Sequence, residues 1–270
     1  MSMNELETEG IVIASREYRE RDLLVTLLTP SGRHALHARG TLKVDSRNAG
    51  ALQLGTRGIY QLHSGRAGGL SSLCQAAIKD SYPAIRRTLL GTAMMLVLCE
   101  IMASAQDDPL CFLLLKQTLD DMERTQDLYT APCVCVGRMC ALAGIAPMTE
   151  GCVRCGRQDE ICALSLRQGG FLCRRCAEQA HAPRLDKAAL RRFRLIMHAG
   201  MDSLDILRAH ARCGEEDFMR IFAFYREYSG SVIRGADFLQ TAAAMERKKR
   251  YYSQQEMKGH GKNTMLESVF

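Results

Sequence analysis

Four cysteines carry the most specific chemistry in this chain. Cys152-Val-Arg-Cys155 and Cys173-Arg-Arg-Cys176 are two C-x2-C pairs separated by seventeen residues. A C-x2-C turn lets both sulfurs point at one ion, and two such turns close a tetrahedral thiolate site with no open position. Gly156 follows the first pair, and Gly169-Gly170 precedes the second. The expectation is one structural zinc ion held by Cys152, Cys155, Cys173 and Cys176. Arg174 and Arg175 would offset the negative charge of four thiolates. His181 is a weaker alternative ligand, since the four cysteines already complete the set. A thiol oxidoreductase also uses C-x2-C, but as a single pair at a helix start; two matched turns favour metal.

A second constellation is basic. Arg33, Arg39, Lys43, Arg47, Arg57 and Arg66 face a single acidic residue, Asp45, over the same stretch. The stretch Gly40 to Gly55 connects two strands, is rich in small residues and carries Lys43 and Arg47, and reads as a mobile basic loop. Such a surface suits a phosphate backbone, with contacts to phosphates dominating and sequence specificity weak. Charge alone leaves a solvated outer face as an open alternative. Stacking aromatics are scarce: Tyr60 reads as inward-facing, and there is no Trp. No Ser-His-Asp set, phosphate-binding glycine loop, HExxH or carboxylate pair emerges, so the chain is expected not to be an enzyme.

The elements that must position these groups follow from periodicity. The chain has 270 residues, 47% hydrophobic and 24% charged, with a net charge of +6. That is ordinary globular composition, long enough for two domains. Five alternating stretches open it: Gly10–Ile13, Leu23–Leu28, Arg33–Gly40, Arg57–His63 and Leu70–Ile78. Leu23, Val25, Leu27, Leu36, Tyr60 and Leu62 point inward. Thr29-Pro-Ser-Gly32 is a turn. Five short strands in about seventy residues predict a small closed barrel, because a flat sheet would leave open edges.

After Pro83 the period becomes helical. Helices are expected from Leu89, with Leu89, Ala93, Leu96 and Ala103 on one buried face. Others are expected over 110–127, 130–144, 187–198, 215–232 and 237–249, with Asp186 capping the fourth. Met94, Met95, Met102 and Met139 read as core filler. Arg247-Lys-Lys-Arg250, beside Tyr251 and Tyr252, reads as a solvated helix end that could add a DNA contact. The parse is an α+β chain: a barrel over 1–80, a helical domain over 81–250, a zinc module over 151–179 inserted in it, and a flexible tail over 251–270. Twelve cysteines without a signal-like start predict a reduced, cytoplasmic protein with no membrane segment.

Several stretches resemble one family. Thr8-Glu-Gly-Ile-Val-Ile13, Tyr18-Arg-Glu-Arg-Asp-Leu-Leu-Val-Thr-Leu-Leu-Thr-Pro30, Ala38-Arg-Gly40 and Leu52-Gln-Leu-Gly-Thr-Arg-Gly58 are similar to the start of the bacterial DNA repair protein RecO family. Gly169-Gly-Phe-Leu-Cys173 resembles the zinc insert of many members, and Phe224-Tyr-Arg-Glu-Tyr228 and Phe238-Leu239 resemble their final helices. The resemblance implies an N-terminal OB-fold, a helical domain and a recombination mediator. Such a protein binds single- and double-stranded DNA and anneals complementary strands. With RecR, and in many bacteria RecF, it helps load RecA onto DNA coated by single-strand binding protein. It also implies recognition of that protein's acidic, Phe-terminated tail, for which Arg191, Arg192 and Arg194 are candidate cations. A protein-binding adaptor with an incidental barrel charge is the competing reading.

Overall fold

The computed structural model describes residues 5–43, 46–65 and 70–266. Strands β1 (Glu5–Tyr18), β2 (Asp22–Thr29), β3 (Gly32–Ala38), β4 (Arg57–His63) and β5 (Ser71–Asp80) close a barrel in the order β1-β2-β3-β5-β4. The five-stranded barrel expected from alternation is therefore present, and its order is that of an OB-fold. Closure falls to a short parallel contact, Leu36 against Ser71 and His37 against Ser72.

Strand β1 is longer than its apolar centre suggests because it serves two neighbours. Glu5 to Ile11 pair with β4, and Ile11 to Tyr18 pair with β2, with a register shift between Val12 and Ala14. By alternation Val12 enters the barrel while Ile11 and Ile13 turn outward, and the shift, with Ile13 as the extra residue, keeps Ala14 outward as well. Val12, Val25, Leu27, Leu36, Ala38, Leu52, Tyr60 and Leu62 form the barrel core. Ile11, Ile13 and Leu28 instead belong to the helical core.

The Gly40–Gly55 connection is anchored rather than uniformly loose. A 3-10 turn, Gly50–Leu52, carries buried Ala51 and Leu52 onto the barrel, and the Tyr60 hydroxyl donates to the Ala51 carbonyl at 2.7 Å. Asn48 Oδ1 accepts from the Ala76 amide at 3.1 Å.

The helical domain comprises α1 (Pro83–Arg86), α2 (Leu89–Ser104), α3 (Leu110–Thr125), α4 (Thr130–Leu142), α5 (Arg174–Gln179), α6 (Lys187–His198), α7 (Leu204–Ala211), α8 (Glu215–Ser229) and α9 (Ala236–Leu266). Asp186 caps α6 by accepting from the Ala189 amide, as the sequence predicts, and Thr88 caps α2 in the same way by accepting from Gly91. Helix α2 departs from the single-stripe expectation. Leu89 is exposed, whereas Ala93, Met94, Val97, Leu98 and Ile101 are all buried, because β1, α3 and α9 enclose the helix. Helix α9 continues past the break expected after Lys249: Ser253 to Lys258 consists of residues that do not interrupt a helix. No helix among the described residues is long and apolar enough to cross a membrane.

The cysteine module lies between α4 and α6 and contains a hairpin missed at the level of sequence, β6 (Ile161–Ser165) with β7 (Gly170–Cys173). Phe171 packs against Phe193 of α6, and the Tyr228 hydroxyl of α8 donates to the Leu166 carbonyl at 2.6 Å. Gly170 is required here, since a Cβ would meet the Met148 backbone.

Candidate nucleic-acid interface and metal centre

The four cysteines converge. The Cys152, Cys155, Cys173 and Cys176 sulfurs all lie within 4.8 Å of one another. Cys155 and Cys173 are 3.7 Å apart. A tetrahedral ion with metal–sulfur bonds of about 2.3 Å requires sulfur–sulfur edges of about 3.8 Å, so the donor set fits one ion. The first turn is built by Gly156, at φ +72°, whose amide donates to the Cys152 carbonyl at 2.8 Å. Cys173 sits at the start of α5, and Cys176 lies on its first turn. His181 is not part of the cluster.

The thiols are unequal. Burial opposes a Cys152 thiolate, yet the amides of Cys173, Cys155 and Arg154 aim at it and bring its pKa down to about 6. Burial and the three neighbouring sulfurs push Cys176 up to about 12. Four sulfurs this close ionise together only around a cation. Cys152, Cys173 and Cys176 are buried and Cys155 is exposed, in a recess shared with Arg154, Arg157 and Arg175.

Of the six basic residues named from the sequence, two of the five described ones are turned to other partners. Arg33 is drawn into the junction with the helical domain: its amide donates to Asp107 Oδ1 at 2.8 Å and its guanidinium to the Ala103 carbonyl at 2.6 Å. Arg57 is only 16% exposed and lies 3.5 Å from Glu9 and 3.9 Å from Asp120. Its strand neighbours on β1 bring Glu5, Glu7 and Glu9 to the same outer face. The expected barrel face therefore loses both residues to internal ion pairs. Arg66 lies outside the described residues. Arg39, Lys43 and Arg47 are exposed, and among the described residues none has an ion pair or hydrogen bond through its side chain.

Arg39 and Lys43 sit beside the β1–β2 hairpin, whereas Arg47 adjoins Asn48, which is bonded to β5. Register on the outward row places Tyr18 opposite Asp22 and Arg16 opposite Leu24, which in turn pairs with His37. Asp22 clamps the loop that follows β3: Oδ1 accepts the Gly40 amide at 2.8 Å, and Oδ2 accepts from His37 Nε2 at 2.7 Å. These bonds hold the Asp22 carboxyl below its ordinary pKa, the Gly40 amide contributing most. The Leu42 amide adds a bond to the Arg21 carbonyl at 3.1 Å. Gly40, at φ +64°, leaves the Lys43 side chain lying over it. Arg16, Arg19 and Arg21 are exposed on the same hairpin, with Glu17 and Glu20 between them. Sequence reasoning passed over these arginines because the acidic residues mask them in a linear count.

A third feature is a groove of about 720 Å³ between the cysteine module and α6. Ile161, Phe171 and Leu190 supply an apolar floor, and Arg174, Arg184, Lys187, Arg191 and Arg194 a basic rim. Arg194 and His198 both reach Glu150, and Arg184 reaches Glu178 at 2.7 Å. Arg192 is elsewhere, committed to buried Asp217 at 3.1 Å.

Known proteins match the chain along nearly all its length. The family model described as Recombination protein O N terminal matches residues 1–82, and that described as Recombination protein O C terminal matches residues 83–234. The DNA repair protein RecO of Halalkalibacterium halodurans is 29% identical over 245 residues, covering 88% of this chain and 96% of the relative. That of Bacillus cereus strain B4264 is 29% identical over 240 residues, covering 87% and 96%. That of Bacillus pumilus is 27% identical over 248 residues, covering 90% and 96%.

Proposed function

This chain belongs to the recombination protein O family of DNA repair proteins, and on that premise we propose that it is a non-enzymatic recombination mediator whose barrel binds DNA phosphates. The observation carrying this reading is that Arg39, Lys43 and Arg47 are exposed and, among the described residues, make no side-chain ion pair or hydrogen bond, with Asp22 fastening the turn at Gly40 beside Arg39 and Lys43. Arg33 and Arg57 are left out of the proposed contact set, because their charges are already used inside the protein. The ligands are single- and double-stranded DNA, and the activity is annealing of complementary strands. Working in the bacterial cytoplasm at the nucleoid, with RecR and in some settings RecF, the protein helps RecA onto DNA coated by single-strand binding protein.

The direct test is Arg39→Glu with Lys43→Glu. Each phosphate contact contributes about 0.7–0.9 to the slope of log affinity against log salt. Losing two contacts should flatten the slope by about 1.5 and weaken binding at every sequence. Unchanged affinity with an unchanged slope overturns the assignment.

The adaptor reading is supported by the groove over Phe171 and Leu190, and the two activities coexist. An apolar floor with a cationic rim suits an acidic peptide ending in Phe, such as the tail of single-strand binding protein. Arg191→Glu should abolish binding of such a peptide and leave binding of free DNA intact. The ion at the four thiolates is proposed to be zinc, which such a sulfur set favours. The site has no open position, so the ion braces the lobe and performs no chemistry. An oxidoreductase would need one pair free to cycle, whereas here both pairs face a common centre.

A further inference from the structure

Tyr18 stands exposed on the barrel surface. It ends β1 on the outward row, 39% exposed, two strands from the loop that carries Arg39 and Lys43. Its ring meets the His37 ring edge-on, with centroids 5.5 Å apart and planes at 88°. His37 is fixed in turn by its bond to Asp22, so the edge contact holds the Tyr18 ring upright. Arg19, in a left-handed turn conformation, places its guanidinium 5.1 Å from the ring centroid. The result is an exposed aromatic ring, braced from the side and covered by one exposed cation, next to Arg16 and Arg21.

We propose that Tyr18 is a base-stacking platform that gives the barrel a preference for single-stranded over double-stranded DNA. An unpaired base stacks on the Tyr18 ring in the place Arg19 now holds. The released guanidinium then meets the adjacent phosphate, while Arg39 and Lys43 hold the phosphates beyond it. Duplex DNA keeps its bases inside the helix, presents only phosphates, and gains nothing from the ring. This inference rests on the DNA-binding reading of the barrel and adds the form of DNA that it selects.

The test compares Tyr18→Ala and Tyr18→Phe in the full-length protein. The ligands are oligothymidine, a strand of the same length with abasic sites, and a duplex. Truncating a stacking aromatic weakens single-strand binding about 5- to 160-fold. Y18A should show that loss on oligothymidine and bind duplex like the parent, with an unchanged salt slope. Y18F should bind like the parent, and the abasic strand should bind parent and Y18A alike. A matching thermal midpoint for Y18A certifies the fold. Equal losses on single strand and duplex, or no loss on single strand, overturn the platform while leaving phosphate binding in place. A parent protein that binds neither form overturns the DNA-binding reading itself, and the platform with it.

Discussion

The Asp22 carboxylate accepts the backbone amide of Gly40 at 2.8 Å, joining the start of β2 to the loop after β3. One side chain thereby fixes where Arg39 and Lys43 stand. Asp22→Ala should release the loop, speeding hydrogen exchange at Gly40 and Leu42 and weakening DNA binding without removing a cation. The pH dependence has a definite sign. The folded carboxyl titrates below an unfolded aspartate near pH 3.9, so its contribution is complete above that value. The contribution disappears only as pH falls through the lower folded value. Amide exchange followed by NMR across pH 3–6, corrected for intrinsic rates, checks the tether.

Arg57 should behave as a structural residue. Replacing it with Met leaves Glu9 and Asp120 without their common cation at a half-buried junction. Allowing for solvent at this junction, a loss of about 1–2 kcal/mol is expected. The salt slope of DNA binding should not change. Denaturant titration beside a salt series separates this outcome from that of Arg39→Glu.

Metal removal should act locally. With Cys152→Ser, metal content should fall from about one ion per chain, and the lobe should lose the centre around which its small core is arranged. The first proteolytic cuts should then fall between Cys152 and Cys176. Oligothymidine affinity should move little, because the lobe packs mainly on α6 and its own hairpin, away from the strands of the barrel. Metal analysis and mass spectrometry of the early fragments provide the check.

Gly55 sits at φ +77°, where a Cβ would collide with the Met95 side chain of α2. Gly55→Ala should cost about 1–2 kcal/mol from backbone conformation alone. Displacement of Met95 adds to that. A lowered thermal midpoint with retained metal content would locate the damage at the barrel–helix junction, not in the cysteine lobe.

Local pattern made much of this molecule legible. Alternation in Val25, Leu27, Leu36, Tyr60 and Leu62 gave the barrel interior, and cysteine spacing gave the thiolate cluster. What escaped depended on distant partners. Arg33 looks free in sequence because Asp107 lies 74 positions away, and Arg57 because Asp120 arrives from α3. The acidic strip of Glu5, Glu7 and Glu9 was invisible beside Arg57 until β1 paired with β4. Tyr18 was missed for a different reason: exposure is not periodic, and its neighbours Arg19, Glu20 and Arg21 read as an ordinary charged turn.

Strand β1 contributes Val12 to the barrel interior and Ile11 and Ile13 to the helical core. A strand shared between two cores leaves no pivot between them. The barrel surface around Arg39 and the groove over Phe171 therefore behave as two points on one ruler. A DNA-bound protein that also offered an acidic tail would meet the second point at a fixed local concentration, with no flexible tether to dilute it. Engagement of both points would then depend on whether the incoming partner spans that distance, so spacing itself would become a criterion of recognition.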